Sequence, residues 1–377
     1  MQNERREEST SFLTLFLCGD VMTGRAIDRI LPHPCDPAIY EPFMTSAEGY
    51  VKLAEAVNGP IQRPVDYSYI WGDALGELER AAPDVRIVNL ETSVTKSDEY
   101  QPKGINYRMS PENISCITAA GIDCCCLANN HVLDWGLAGL AETLETIRKV
   151  GMKSAGAGRN REEAEAPAVV ELRGRQRVIL FSFGSATSGI PSSWAASETR
   201  GGVNLLPDLS DETVRGIGEK VGGVKQERDI AVASIHWGGN WGYEIPHEQS
   251  SFARRLIDGA GVDVVYGHSS HHAKGIEVYR DRLILYGCGD FINDYEGIGG
   301  YERFRADLGL MYFVSVEALT GRLVSLRMTP TQIRRFRVNR ASLDDARWLR
   351  EVLNREGEEL GTRVDMAKDG DLTLLWG

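Results

Sequence analysis

Asp20, Glu91, Asn130, His131, His236, His268 and His271 each stand just past the end of a short apolar run, or in the turn after it. Carboxylates, side-chain amides and imidazoles are the groups that hold divalent cations. The densest case is LANNHVLDWG, residues 127–136. There an apolar run from Ile122 to Leu127 ends in Asn129, Asn130 and His131, with Asp134 three residues further on. Acidic groups crowded at one edge would repel one another unless a cation lay among them. The pattern therefore points to a bound metal ion.

Such groups must be delivered by a scaffold, and the sequence supplies one. Strands are expected at 12–18, 85–89, 122–127, 230–235 and 262–266, each an apolar run of strand length. Helices are expected at 71–82, from Pro111, and at 136–150, 210–224, 247–259 and 343–359. Hairpins are expected at 275–278 with 283–286 around Asp281, and at 308–316 with 322–328 around Thr320-Gly321. Strand–helix alternation with terminal hairpins implies an α/β sandwich, largely one domain. In such folds ligands bind beyond the C-terminal ends of the strands, where the polar groups above lie. Residues 31–67, rich in proline and aromatics, read as an insertion beside the site with one helix near 47–57. Residues 184–202, rich in Gly, Ser and Ala, read as a loop or mobile flap.

Bulk composition excludes several classes. The chain is 42% hydrophobic and 25% charged, with net charge −12 and a pI near 5.2. That balance disfavours non-specific binding to nucleic acid or to anionic membrane. The seven cysteines include the run Cys124–Cys126 and form neither a zinc-ribbon nor a CxxC pattern. They read as small buried hydrophobes in a reducing compartment. Residues 1–10 are charged and polar and are expected to be loose. The apolar run after them is too short for a membrane span and lacks a signal cleavage site, so a cytoplasmic location is expected.

Six motifs in order, GDVMTGR, NLETSV, LANNHVLDWG, HWGGNWGYE, GHSSHHAKGIE and YGCGDFIND, resemble the CapA-like poly-γ-glutamate synthesis proteins, related to calcineurin-like metallophosphatases. The resemblance covers roughly residues 12–316. It implies a metallophosphatase-type double β-sheet sandwich flanked by helices; the domain is expected at 11–340, with a C-terminal helix and tail at 341–377 packed on it. It also implies metal-site positions at Asp20, Glu91, Asn130, His236, His268 and His271, and an acid/base histidine at His131.

Two departures bear on chemistry. The metallophosphatase pattern begins Asp-x-His, whereas here Asp20 is followed by Val21 and Met22. With that imidazole lost, one divalent ion is expected in place of two. An oxygen-rich site favours calcium, manganese or magnesium, with zinc in competition. Asp290 stands where the family commonly has asparagine. A histidine hydrogen-bonded to a carboxylate is a stronger base in a fixed tautomer, and two such pairs are available: His131 with Asp20 or Asp134, and a histidine of the 268–272 loop with Asp290 or Asp294.

Two acid–base pairs around one hard cation suit proton removal and return at a carbon next to a carbonyl. That is the chemistry of epimerisation, and the CapA-like family includes a branch of cytosolic peptide epimerases acting on lasso-peptide precursors, so the resemblance implies a peptide epimerase of that type. Its catalytic groups would be His131, Asp20, Asp134, His271 and Asp290. Trp237, Trp241 and Tyr243 would line an aromatic pocket. Arg25, Lys103 and Arg108 would meet a substrate carboxylate. The alternatives are a metal-dependent phosphoesterase or γ-glutamyl amidase, and an accessory protein of capsule or poly-γ-glutamate synthesis that binds metal without performing chemistry.

Overall fold

The computed structural model describes residues 12–172 and 176–377. The expectation for residues 1–10 therefore lies outside the described residues. Two β-sheets stack face to face. The larger has eleven strands, ordered Asp290–Ile292, Asp20–Val21, Val85–Leu90, Phe12–Cys18, Leu308–Glu317, Leu323–Ile333, Leu372–Trp376 and Thr362–Met366. Cys124–Cys126 and Lys153–Ala155 continue it from Val85–Leu90, and Val338–Arg340 pairs with Leu323–Ile333. The smaller has six, ordered Ile276–Tyr279, Arg282–Leu285, Val264–His268, Ile230–His236, Arg177–Gly184 and Ala168–Glu171. This is the α/β double-sheet sandwich expected from the sequence.

The strands alternate which face they bury, and this creates three packed layers. Leu15, Leu17, Ile87, Cys124 and Cys126 meet Leu180, Val232, Val264 and Tyr266 between the sheets. Phe16, Val88 and Cys125 face outward, against helices Glu48–Asn58, Ala74–Ala81 and Gly136–Lys149. Ile179, Phe181, Ala231 and Val265 cover the other outer face, under helices Asp211–Val224 and His247–Ala260. Each fully buried side chain of this kind contributes roughly 1.5–3 kcal/mol. The three consecutive cysteines thus split between two cores by strand alternation. All seven cysteines are free thiols, and Cys35 alone is less than fully buried.

Local chemistry sets the boundaries. Arg280 and Asp281 both have positive φ, 48° and 60°, the conformation of a two-residue hairpin turn that matches strand twist. The side chain of Ser342 accepts from the Asp345 amide and caps helix Leu343–Gly357. Pro111 opens a 3-10 turn, Pro111–Asn113, before the short helix Ser115–Thr118.

The structure revises one expectation. The 341–377 region does not end in a packed-on tail. Thr362–Met366 and Leu372–Trp376 pair with each other, and the second joins Leu323–Ile333 through Arg327↔Thr373 and Met328↔Leu372. Both strands alternate buried and exposed residues, so each presents one apolar face to the sandwich. Residues 184–202 form a loop with two short 3-10 turns, Ala186–Ser188 and Ser192–Trp194; Ile190 and Trp194 are buried in the core outside the large sheet, and Ala196 donates to the Val203 carbonyl at 3.0 Å. No helix among the described residues is long and apolar enough to cross a membrane.

Candidate functional site

The strands that carry the polar groups run parallel, so their C-terminal ends share one edge. Phe12–Cys18, Val85–Leu90 and Cys124–Cys126 are parallel neighbours in one sheet. Ile230–His236 and Val264–His268 are parallel neighbours in the other, with His236 in register with His268. Gly19 permits a close crossing at this edge. A Cβ there would lie 2.1 Å from the Gly289 carbonyl oxygen, and the adjacent Asp20 amide donates to that same oxygen at 2.8 Å.

Asp20, Glu91 and His236 each offer one ligand atom, all within 4.8 Å of one another. All three side chains are buried. Asn130 Oδ1 lies 3.1 Å from His236 Nε2, and His131 Nε2 lies 3.8 Å from Glu91 Oε1. The cluster is held from beneath by Asn89, whose Nδ2 donates to Asp20 Oδ1 at 2.7 Å and to Glu91 Oε2 at 3.3 Å. His268 Nδ1 stands 3.3 Å from Asp20 Oδ1, and its Nε2 is 3.1 Å from Ser234 Oγ. That Nδ1 is buried without a hydrogen-bond partner. The Ser269 amide donates to Asp20 Oδ2 at 3.3 Å, from a residue with φ 92°, a backbone conformation costly for a side-chain-bearing residue.

The electrostatics separate the two carboxylates. Burial pushes Asp20 up, but its contacts with the His268 and His236 imidazoles outweigh that and leave Asp20 below its ordinary value. Burial and the negative charge of Asp20 push Glu91 well above the usual carboxylate range. Burial lowers His236 to about 3 and His131 to about 4, so both imidazoles are neutral at physiological pH with lone pairs to give. Two mutually repelling buried carboxylates, a neutral imidazole and an adjacent amide oxygen form a donor set that fits one divalent cation.

The open pairings resolve. His131 Nδ1 pairs with Asp134 Oδ2 at 2.6 Å, and Asp134 is fixed by the Tyr107 amide at 2.7 Å. His271 Nδ1 pairs with Asp290 Oδ1 at 2.8 Å, and His271 is not among the three residues, Asp20, Glu91 and His236, whose ligand atoms converge. Burial pulls His271 down, and the Asp290 charge and hydrogen bond more than offset that, leaving it raised. Asp294 instead binds Arg25.

The residues expected to meet substrate sit in different settings. Arg25 is buried, with Nε donating to Asp294 Oδ2 at 3.0 Å and Nη1 to Glu41 Oε1 at 2.9 Å, under the Tyr50 ring at 4.0 Å. Lys103 Nζ is 2.8 Å from Asp134 Oδ1 and donates to the Asn130 carbonyl. Arg108 donates to Asp98 Oδ1 at 2.8 Å and stacks over Trp135 at 3.9 Å. These cations are held by partners within the chain. The aromatic trio also divides. Trp237 is buried in the outer core of the smaller sheet, its Nε1 donating to the Tyr286 carbonyl at 3.0 Å. Tyr243 packs on His272 and Phe304. Trp241 alone lines the cavity beside His271, which measures about 890 Å³, and stacks on Tyr301 with centroids 4.2 Å apart.

Sequence reasoning passed over Asn89, Ser234 and Tyr295. Tyr295 places its hydroxyl 3.4 Å from His271 Nε2 and 3.4 Å from the Tyr107 hydroxyl. Asn89 had a signal: a polar residue inside an apolar strand, two before Glu91 and therefore directed to the same side.

Comparison with known proteins bears on this geometry. Residues 14–295 match the family described as bacterial capsule synthesis protein PGA_cap. A probable polyglutamine synthesis accessory protein of Mycobacterium tuberculosis strain H37Rv is 45% identical over 365 residues, 96% of each chain. The PGA biosynthesis protein CapA of Bacillus subtilis is 26% identical over 327 residues, 86% of this chain and 73% of its own. The capsule biosynthesis protein CapA of Bacillus anthracis is 23% identical over 282 residues, 75% of this chain and 60% of its own. These findings overturn the reading as a lasso-peptide epimerase, and the enzyme assignment falls with it. The relatives are named for polymer synthesis and, at 45% identity, as accessory proteins. Both histidine–carboxylate pairs are present in the structure, but the epimerase reading built on them and on the family resemblance is not what the relatives are named for. With a match across residues 14–295 and a relative aligned over nearly its whole length, the chain belongs to the PGA_cap family of bacterial capsule synthesis proteins.

Proposed function

We propose that the protein is an accessory protein in the synthesis of a glutamate- or glutamine-based bacterial polymer, and that it holds one divalent cation at Asp20, Glu91 and His236. The observation that carries the reading is the convergence of these three buried ligand atoms within 4.8 Å. The polymer assignment draws support from the relatives' names, above all the one aligned over 96% of both chains. The oxygen-rich donor set favours calcium, manganese or magnesium over zinc. When bound, the ion supplies a positive charge able to take a carbonyl or carboxylate oxygen of the polymer. The chain's own groups fix the ligands: Asn89 holds both carboxylates, and Asp134 fixes the His131 tautomer. The partner is the polymer chain; nucleic acid is disfavoured by a net charge of −12. Seven free thiols support a reducing compartment such as the cytoplasm.

The test is deletion of the gene in its own host, with glutamate and glutamine polymer isolated intact and quantified, the amide content read from ammonium released on acid hydrolysis. Polymer is expected to fall, to be restored by the wild-type gene, and not to be restored by Asp20→Asn with Glu91→Gln. Unchanged polymer in the deletion strain would overturn the reading.

A further inference from the structure

The cavity beside His271, about 890 Å³, has a rim unlike the rest of the surface. Phe43, Val57, Ile105, Ile298 and Tyr301 all line it and are all well exposed, from 39% for Ile105 to 72% for Phe43. They come from separate stretches of chain and converge on one opening. Exposed apolar side chains gathered around a cavity of this size mark a ligand site.

Its charges are balanced. Three guanidinium groups line it, Arg25, Arg305 and Arg334, against three carboxylates, Glu296, Glu302 and Asp307. Arg25 is held by Asp294 and Glu41. Arg305 Nε and Nη2 each donate to Asp307 at 2.8 Å, and Nη2 also to Asp345 at 2.8 Å. Arg334 donates to Asn58 Oδ1 at 3.1 Å. Glu296 accepts from the Arg335 and Phe336 amides at 2.7 and 2.6 Å. A polyanion entering here would lose hydration and meet Arg25 and Arg305 already paired with carboxylates, leaving only the exposed Arg334, whose hydrogen-bond partner is the neutral Asn58 amide, to receive it. The uncharged polar lining is amide: Asn58, Asn240, Asn293 and Gln332.

Building on the polymer-synthesis reading, we propose that this cavity binds an uncharged, amide-bearing stretch of the polymer, a glutaminyl-type chain, and discriminates against its polyanionic glutamyl counterpart. Side-chain methylenes pack on the apolar rim and the Trp241–Tyr301 stack. Side-chain amides pair with the amide lining.

The test is calorimetric titration of the full-length, chelator-treated protein with synthetic oligomers of equal length, one of glutamine and one of glutamate, each in α- and γ-linked form. Removing the ion keeps a bound cation from drawing in carboxylates. A glutamine oligomer is expected to bind about tenfold or more tighter than its glutamate counterpart. Tyr301→Ala and Ile298→Asp, both on the exposed rim, are expected to weaken it by about tenfold. Asp307→Asn, which leaves Arg305 less compensated, is expected to shift the preference toward the glutamate oligomer. Equal or tighter glutamate binding overturns the proposal, and so does glutamine binding that neither rim variant alters. Binding of neither oligomer overturns the cavity assignment, while the polymer reading stands or falls separately on the deletion strain.

Discussion

Asp20 and Asp290 are direct partners in a parallel strand pairing, yet each answers to a different histidine. Asp20 Oδ1 lies 3.3 Å from His268 Nδ1, inside the ligand cluster. Asp290 Oδ1 lies 2.8 Å from His271 Nδ1, outside it. Neighbouring carboxylates on adjacent strands are therefore separable by mutation. Asp20→Asn is expected to abolish metal binding, measured as ion-to-protein ratio by mass spectrometry after dialysis against manganese or calcium. Asp290→Asn is expected to leave that ratio near the wild-type value.

Chelation should be visible in stability. An ion that binds only the folded chain adds roughly 2.7 kcal/mol when present at about 100 times its Kd. For a chain of this size, each kcal/mol moves Tm by about 2–4 °C or somewhat less. Treatment with EDTA is expected to lower Tm by several degrees, with recovery on adding back manganese or calcium. In Asp20→Asn neither step should move Tm.

Arg25 distinguishes a structural cation from a ligand-binding one. Its guanidinium is buried against Asp294 and Glu41, and removing it leaves two carboxylates without their partner. Arg25→Ala is expected to destabilise the protein by about 3–5 kcal/mol in denaturant titration. Refolded protein that does reach the native state should still bind one ion per chain.

How much of this was legible in the sequence follows from the range of the interactions. The strand-end positions were readable because each apolar run stops at its ligand, and parallel strands bring such ends together. His131 with Asp134 was one of two open options, and its close spacing made it local. Arg25 with Asp294 was not readable, because the partners are 269 residues apart and nothing in either motif names the other. Trp237 and Trp241 look alike in HWGGNWGYE. Their fates differ because Trp237 continues the strand and turns into the helix-covered core, whereas Trp241 follows a glycine-rich turn and reaches the cavity. The C-terminal strands were missed: RVDM in the first alternates polar and apolar residues, but LTLLW in the second ends in three consecutive apolar residues, of which Leu375 is exposed. A short period-two pattern after a helix competes poorly with the expectation of a tail.

The Arg305–Asp307 pair sets an acid-sensitive contribution to stability. Burial pushes Asp307 up, but hydrogen bonds from Arg305 and Gln332 and the Arg305 charge win and leave it lowered. A carboxylate whose folded value lies below its unfolded one stabilises the fold above the unfolded value, near 4, and loses that contribution as pH falls through the folded value. Asp307→Asn is expected to lower stability at pH 7 and to narrow its gap from wild type on acidification below about pH 4. Urea midpoints measured at both pH values check this. A constant gap across that range would refute it.

Gly19 is where backbone geometry and ligand placement meet. An alanine Cβ at this position would sit 2.1 Å from the Gly289 carbonyl oxygen and 2.8 Å from the Asp290 carbonyl carbon, and neither atom belongs to a side chain that could swing away. The crossing must open, and Asp20 and Asp290 lie on either side of it. Gly19→Ala is expected to cost at least about 1–3 kcal/mol, the usual range for forced overpacking, and to reduce metal occupancy because Asp20 moves with the strand. Gly216→Ala is the control. It lies in helix Asp211–Val224 with nothing within 4 Å of an added Cβ, and it is expected to be neutral or to stabilise by up to about 1 kcal/mol. Equal thermal shifts for the two variants would show that the close crossing does not position Asp20.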